Sequence, residues 1–400
     1  MQRKRTVILL VTALLAMVAM TGAALAAETY KLGYITDLSG ALRDAYTPVM
    51  EGFKLYVKAL NDRGGINGHP VEILVRNDQL DATRATSLAI ELITAEKVNS
   101  IWGLSLTRTH KAVYETVKRY KVPAVSCFSG TKDVLPPEPL QYSYSVGHVF
   151  EIGGEASGKV AAEMMKGKGK MVVNSIEAPG GFAACDFTEG AAQAGGLTTG
   201  QILFAPTETE FGATVAKVIG MGPDVVVIHN PPASAIAMLR TLRAQGYKGP
   251  IIEAALGHDE MTYAEAIEST GYTDNTYLMS RWSLADSEGK ELDELRAAVK
   301  KHGIPGNLCV GNIAGWTMGV LAEAALKKCG WPCSGEQLNV ALENINVSTG
   351  ALMGGPIAFT PTDHYGKTWW RVFKYDGASK KFKPVTEWKE NASTPTLKKK

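Results

Sequence analysis

Residues 30–85 read YKLGYITDLSGALRDAYTPVMEGFKLYVKALNDRGGINGHPVEILVRNDQLDATRA, and this stretch decides the fold. An apolar run over 31–36 breaks at Asp37-Leu38-Ser39-Gly40. An amphipathic pattern over about 48–61 predicts a helix, Gly64-Gly65-Ile66-Asn67-Gly68 a turn, and 71–76 a second strand ending in Asn77-Asp78. Glycine serves such a turn because the chain takes positive φ there. Strand, helix and strand in that order imply parallel strands with a right-handed crossover. Ligands of such sheets sit at the carboxyl ends of the strands, where Ser39-Gly40 and Asp78 fall, so the chemistry is expected in a cleft.

Upstream, Arg3, Lys4 and Arg5 precede the apolar run 7–20, and Ala24-Leu25-Ala26 supplies small residues at a cleavage position. This is the pattern of a secretory signal peptide over 1–26, too short and wrongly flanked for a permanent membrane span. No cysteine lies near the cut, so no lipid anchor is expected. The mature chain is expected free in the periplasm. Without Arg3, Lys4 and Arg5, 39 of the 42 basic residues remain against 40 acidic ones. Such a near-neutral protein has no electrostatic reason to seek nucleic acid or anionic lipid. The mature part of the 400 residues exceeds the ~250–300 at which one core stops growing, so at least two domains are expected.

Beyond the opening unit, helix-like and strand-like segments alternate. Helices are expected over 82–95, 110–120, 154–165, 182–194, 211–220 and 233–245, and strands over 100–103, 123–127, 170–175, 201–204, 224–229 and 250–253. The pattern restarts near 144–150, which predicts two consecutive doubly wound α/β units. A strand over 275–282 leads to helices over 290–302 and 312–328, and 355–360 with 368–375 reads as an antiparallel hairpin. The final lysines belong to an expected flexible tail, 391–400.

The chain resembles the class I periplasmic solute-binding proteins of ABC importers, of the leucine/isoleucine/valine-binding type. The residues that carry the resemblance are Leu38-Ser39-Gly40, the run from Ala59 to Gly68, Val75-Arg76-Asn77-Asp78 with Asp81 and Ala85, Val122-Pro123-Ala124-Val125-Ser126, Ala325-Leu326 and the closing 355–366 segment. The resemblance implies two Rossmann-like lobes that close on a ligand, joined by three crossover strands near 144–148, 279–282 and 352–355. The first lobe would hold 27–145 and 281–352, the second 146–280 and 353–390. It also implies no cofactor, a small carboxylate ligand and ABC permease subunits as partners.

In the first lobe the resemblance places Thr107 as the main carboxylate-binding hydroxyl, with Ser105 and Leu106 beside it. Thr107 at a helix start can also cap that helix, and free N–H groups there suit an anion. Phe128, Ser129 and Gly130 form the second carboxylate segment, with Gly130 where relatives often carry a hydroxyl, and Tyr46 is a pocket wall. Arg108 is an exposed helix residue or a partner for a second acidic group. In the second lobe the resemblance assigns Phe182 as an aromatic wall and Asn230 to the next contact. Ala255 stands where a carboxylate would meet an amino group. A buried ammonium without a counter-charge is costly, which favours aromatic or branched aliphatic acids lacking the amino group. Glu253, Glu151 and Asp259 are the residues that would restore an amino-acid ligand.

Residues 153–160 spell most of a phosphate-binding loop, but Val160 replaces the magnesium-holding hydroxyl, and a helix start rich in small residues fits better. Cys329 and Cys333 are expected to pair in an oxidising compartment, leaving Cys127, Cys185 and Cys309 as thiols. The seven histidines are dispersed and no GxSxG elbow is present, so a metal centre or hydrolase site has no support. The expected function is that of a non-enzymatic periplasmic substrate-binding component of an ABC importer for amino acids or related small carboxylates, hydrophobic and aromatic acids favoured, binding by hinge closure of two lobes. The alternative is a ligand sensor of the same fold that feeds a regulator or kinase.

Overall fold

The opening stretch folds as strand, helix and strand. β1 (Tyr30–Thr36) pairs in parallel with β2 (Val71–Asn77) through α1 (Arg43–Asp62). The structure is a computed structural model that describes residues 28–40, 42–104, 106–127, 141–146, 150–254, 259–365 and 367–391. The expected leader and most of the expected tail lie outside these. The turn takes positive φ at Gly64, Gly65, Asn67 and Gly68, and a Cβ on Gly65 would meet the His69 carbonyl oxygen at 2.1 Å. α1 begins five residues before the expected start and runs through Pro48. The Asp37 carboxylate gathers the N–H groups of Ser39, Gly40 and Leu42, and this tight loop delivers the chain to the helix early.

α2 (Ala82–Thr94), β3 (Ser100–Gly103), α3 (Thr107–Tyr120), β4 (Ala124–Ser126) and β5 (Ser143–Ser145) complete the first unit. Its five strands are all parallel, in the order β2-β1-β3-β4-β5. After α4 (Phe150–Met164) the pattern restarts with β6 (Lys170–Ile176), α5 (Pro179–Ala194), β7 (Thr198–Phe204), α6 (Gly212–Gly220) and β8 (Val225–His229). α7 (Pro232–Ala244), β9 (Ile251–Glu253), α8 (Glu260–Ser269) and β10 (Thr276–Ser280) follow. The chain then returns to the first unit with α9 (Lys290–His302), α10 (Val310–Cys329) and α11 (Gly335–Leu342). α10 lies very close to α1: a Cβ on Gly315 would sit 1.9 Å from the Val49 carbonyl oxygen.

The expected hairpin between 355–360 and 368–375 does not form. β12 (Ile357–Ala358) pairs with β11 (Asn346–Val347), while β13 (Thr368–Asp376) joins the second sheet antiparallel to β10. That sheet runs β14-β13-β10-β9-β8-β6-β7, with β14 (Lys381–Pro384) at its edge and β15 (Lys389–Asn391) on β13. The β11–β12 ribbon keeps the chain with the first unit beyond 352–355, so it enters the second sheet only at Thr368. The first and third passages touch where Ser145 N–H donates to the His364 carbonyl oxygen. Trp102, Trp282 and Trp316 are buried in the core.

The phosphate-loop-like run lies inside α4. Gly154 and Gly158 sit against α5, where a Cβ would fall 2.4 Å from the Ala184 carbonyl oxygen and 2.3 Å from that of Thr188. The glycines let two helices touch, and Lys159 pairs with Glu155. Cys329 is joined to Cys333 at the end of α10, and Cys127, Cys185 and Cys309 are buried thiols.

Candidate functional site

At the end of β3 the chain turns sharply, with φ of +89° at Gly103 and +44° at Leu104. A Cβ on Gly103 would lie 2.4 Å from the Ile35 carbonyl oxygen, so only glycine fits. Leu104 N–H donates to that same oxygen, and the Ser126 hydroxyl donates to the Leu104 carbonyl. This anchored turn makes Leu106 the N-cap, in extended conformation and with no side-chain cap bond. Thr107 is the first residue of α3 and does not cap it. Its buried hydroxyl has no hydrogen-bond partner among the described residues. His110 N–H is bonded back to Leu106, so the N–H groups of residues 107–109 are the first-turn donors with no partner inside the helix.

Tyr46 lies at the same end of the sheet. Burial, then the charges of Asp78 and Asp37, push its hydroxyl pKa up. Asp78 is itself raised, mainly by burial, and the Thr109 side chain bonds to it. Tyr46, Asp78 and the start of α3 therefore meet. Arg108 is exposed and donates to the Leu80 carbonyl oxygen at 2.6 Å, which fits the surface reading. Ser105, Phe128, Ser129 and Gly130 lie outside the described residues.

On the second sheet, Asn230 follows β8 and is fully buried. Its amide donates to the Asn174 Oδ1 at 2.8 Å, while its own Oδ1 has no partner among the described residues. Phe182 stands in the first turn of α5, beyond the end of β6, and is 44% exposed. Ala255 lies outside the described residues. Asp259 is occupied as the cap of α8, accepting from the N–H groups of Met261 and Thr262. Glu253 and Glu151 are buried; Glu253 acts on Tyr263 and Glu151 on Tyr365.

Arg281, which sequence reasoning missed, links the two sheets. It follows β10, is fully buried and lies over the Trp370 ring at 4.2 Å. Burial lowers its pKa, and its charge interacts with Cys127 at the end of β4 and with His229 at the end of β8. His229 is pushed down to about 3 by burial and then by Arg281, and its Nε2 lies 2.9 Å from the Ser157 hydroxyl. The carboxyl ends of both sheets thus converge on one buried cation. The signal in the sequence was an arginine just after a strand, beside Trp282, in the segment where the second crossover was expected.

A cavity of about 840 Å³ lies elsewhere, between α8, β14 and the 284–286 and 307–308 segments, and none of the expected binding residues lines it. Among the described residues no cluster of three or more His, Cys, Asp or Glu could hold a metal, and no helix is long and apolar enough to cross a membrane.

A family model described as periplasmic binding protein matches residues 29–381. The sequence is 24% identical over 293 residues to Leu/Ile/Val-binding protein homolog 7 of Brucella suis, covering 68% of this chain and 72% of that one. The fold superposes on a branched chain amino acid ABC transporter protein from Thermus thermophilus with bound valine, at a TM-score of 0.81 and 18% identity over 92% of this chain and 98% of that one. It also superposes on an ABC transporter solute-binding protein from R. palustris in complex with 4-hydroxybenzoate, at 0.78 and 19% over 92% and 99%.

Proposed function

This chain belongs to the periplasmic binding protein family, and on that premise we propose that it is the substrate-binding component of an ABC importer for small carboxylates. The observation that carries the reading is the Thr107 hydroxyl, buried without a partner among the described residues beside the first-turn N–H groups of α3, which have no acceptor inside the helix. Such a group costs free energy unless a ligand bonds it. A carboxylate there would accept from that hydroxyl and from the helix N–H groups, with Tyr46 as a wall. The 4-hydroxybenzoate and valine of the two structural relatives both carry a carboxylate.

Acids lacking an amino group are favoured because Ala255 stands in the sequence where a carboxylate would meet an ammonium, and a buried ammonium without a counter-charge is costly. Phe182 and Asn230 would complete the site when the lobe built on the second sheet swings toward the first. Closure about the three passages would lower the open population, and the closed form would dock on permease subunits in the membrane. The leader pattern of 1–26 supports a periplasmic location in this reading. The reading assigns binding and no turnover.

A thermal-shift screen of the mature protein tests it, pairing α-amino acids with their deaminated counterparts and with benzoates and cinnamates. A ligand that binds only the folded state raises Tm. Stabilisation by the acids alone is expected. Stabilisation by leucine-like amino acids would transfer the counter-charge role to Glu253 or Glu151, and no response to any carboxylate would overturn the reading.

A further inference from the structure

Glu260 opens α8 in the second lobe, yet both of its carboxylate oxygens are bonded to the first. Oε1 accepts from Ala285 N–H at 2.7 Å and Oε2 from Val310 N–H at 2.8 Å. Those donors are fixed. The guanidinium of Arg296 on α9 holds the Ala285 and Ser287 carbonyls at 2.9 and 3.1 Å, and Val310 is the first residue of α10, which packs on α1. A second, exposed link crosses nearby, from Lys381 of β14 to Asp286 at 3.3 Å. Both links border the 840 Å³ cavity, whose walls come from the two lobes. We propose that Glu260 is a tie between the lobes that sets how far they open, and that protonation tightens it. The inference rests on the two-lobe reading above and concerns its regulation.

The sign follows from burial. Glu260 is 6% exposed, and among the described residues it is in no ion pair. Two neutral N–H donors offset only part of the cost of removing an ionised carboxylate from water. Among the described residues the nearby cations are engaged elsewhere, Arg296 with the Ala285 and Ser287 carbonyls and Asp293. Asp259 precedes it on α8 and raises it further, and the buried Cys309 thiol adjoins Val310. Glu265 and Glu268 lie along the cavity, where Glu268 is held by Lys380 and Tyr375, and Lys381 is engaged with Asp286. Burial pushes Glu260 up to about 7. Released into water, it would return to the ordinary carboxylate range of about 4.3. The tied arrangement therefore holds a proton that the released one gives up, so tying strengthens as pH falls through about 7 and loosens above it.

The test reads lobe separation in ligand-free mature protein, so it stands whether or not the carboxylate screen succeeds. Spin labels are placed at Glu72→Cys on β2 and Gln201→Cys on β7, and distances are measured from pH 5.5 to 8.5. The expected result is a distribution that shifts with a midpoint near pH 7. Glu260→Gln keeps one acceptor but sets an amide NH2 against the other N–H, so it should lose the pH-dependent shift and widen the distribution toward the high-pH one, as should Glu260→Ala, which keeps neither bond. Asp286→Asn should leave the midpoint in place. A pH-independent distribution in the parent, or a shift that persists in Glu260→Gln, would overturn the proposal.

Discussion

The Arg281 guanidinium lies 4.2 Å above the centre of the Trp370 ring, so the second passage between the sheets is fastened to the strand reached by the third. A Cβ on Gly153 would come within 2.9 Å of the Arg281 Nη2, so α4 closes the same corner. The buried guanidinium, with an aromatic face on one side and room left by a glycine on another, fastens this corner between the sheets. Arg281→Gln should weaken carboxylate binding by about 2 kcal/mol or more. Isothermal titration gives the affinity, and circular dichroism shows whether the fold persists. Unchanged affinity in a folded variant would remove Arg281 from recognition.

Thr107→Ala should cost roughly 1–3 kcal/mol of binding, since the hydroxyl bonds a charged group in the proposed complex. Thr107→Ser should retain most of the affinity. Because Thr107 does not cap α3, the alanine variant should melt within a degree or two of the parent when no ligand is bound. A large drop in ligand-free Tm would return the residue to a structural role.

Glycine at 158 permits the contact between α4 and α5. Gly158→Ala would push a Cβ to 2.3 Å from the Thr188 carbonyl oxygen, and overpacking of this kind costs about 1–3 kcal/mol. Gly212→Ala, with nothing within 4 Å, is the control and should be neutral or slightly stabilising. Urea unfolding of the three proteins decides between them.

Acid should destabilise the protein through two buried imidazoles. His110 is pushed down to about 4 by burial, and His229 to about 3 by burial and Arg281. The unfolded chain takes up protons at both sites near pH 6.5, and the folded chain does not until lower pH. Their contribution is therefore present above about pH 6.5 and is lost as pH falls toward 4 and 3. Glu260 acts oppositely, but it is one group against two. Tm measured from pH 7 to 4.5 should fall less steeply in His110→Asn/His229→Asn than in the parent. Parallel curves would refute the assignment.

Thiol titration of denatured, unreduced protein should find the three cysteines 127, 185 and 309, with Cys329 and Cys333 bridged. Five reactive thiols would exclude the bridge.

Much of this molecule is written in windows of twenty residues or fewer. Apolar runs bounded by Asp37-Leu38-Ser39-Gly40 or Asn77-Asp78 determined the parallel strands, and the glycines from 64 to 68 determined the turn, because steric limits on φ act locally. The alternation of helix and strand determined two doubly wound units in the order found. The resemblance placed Tyr46 and Thr107 together, and the structure has both beyond the carboxyl ends of the first sheet. What the sequence could not decide were choices among distant partners. Ile357 took Val347 in place of β13, Arg281 took the face of Trp370, and Glu260 reached Val310 fifty residues away. Each of these depends on which surfaces the finished sheets bring together and on how much water is excluded there. Burial of that kind is a property of the whole fold and leaves no mark on neighbouring residues.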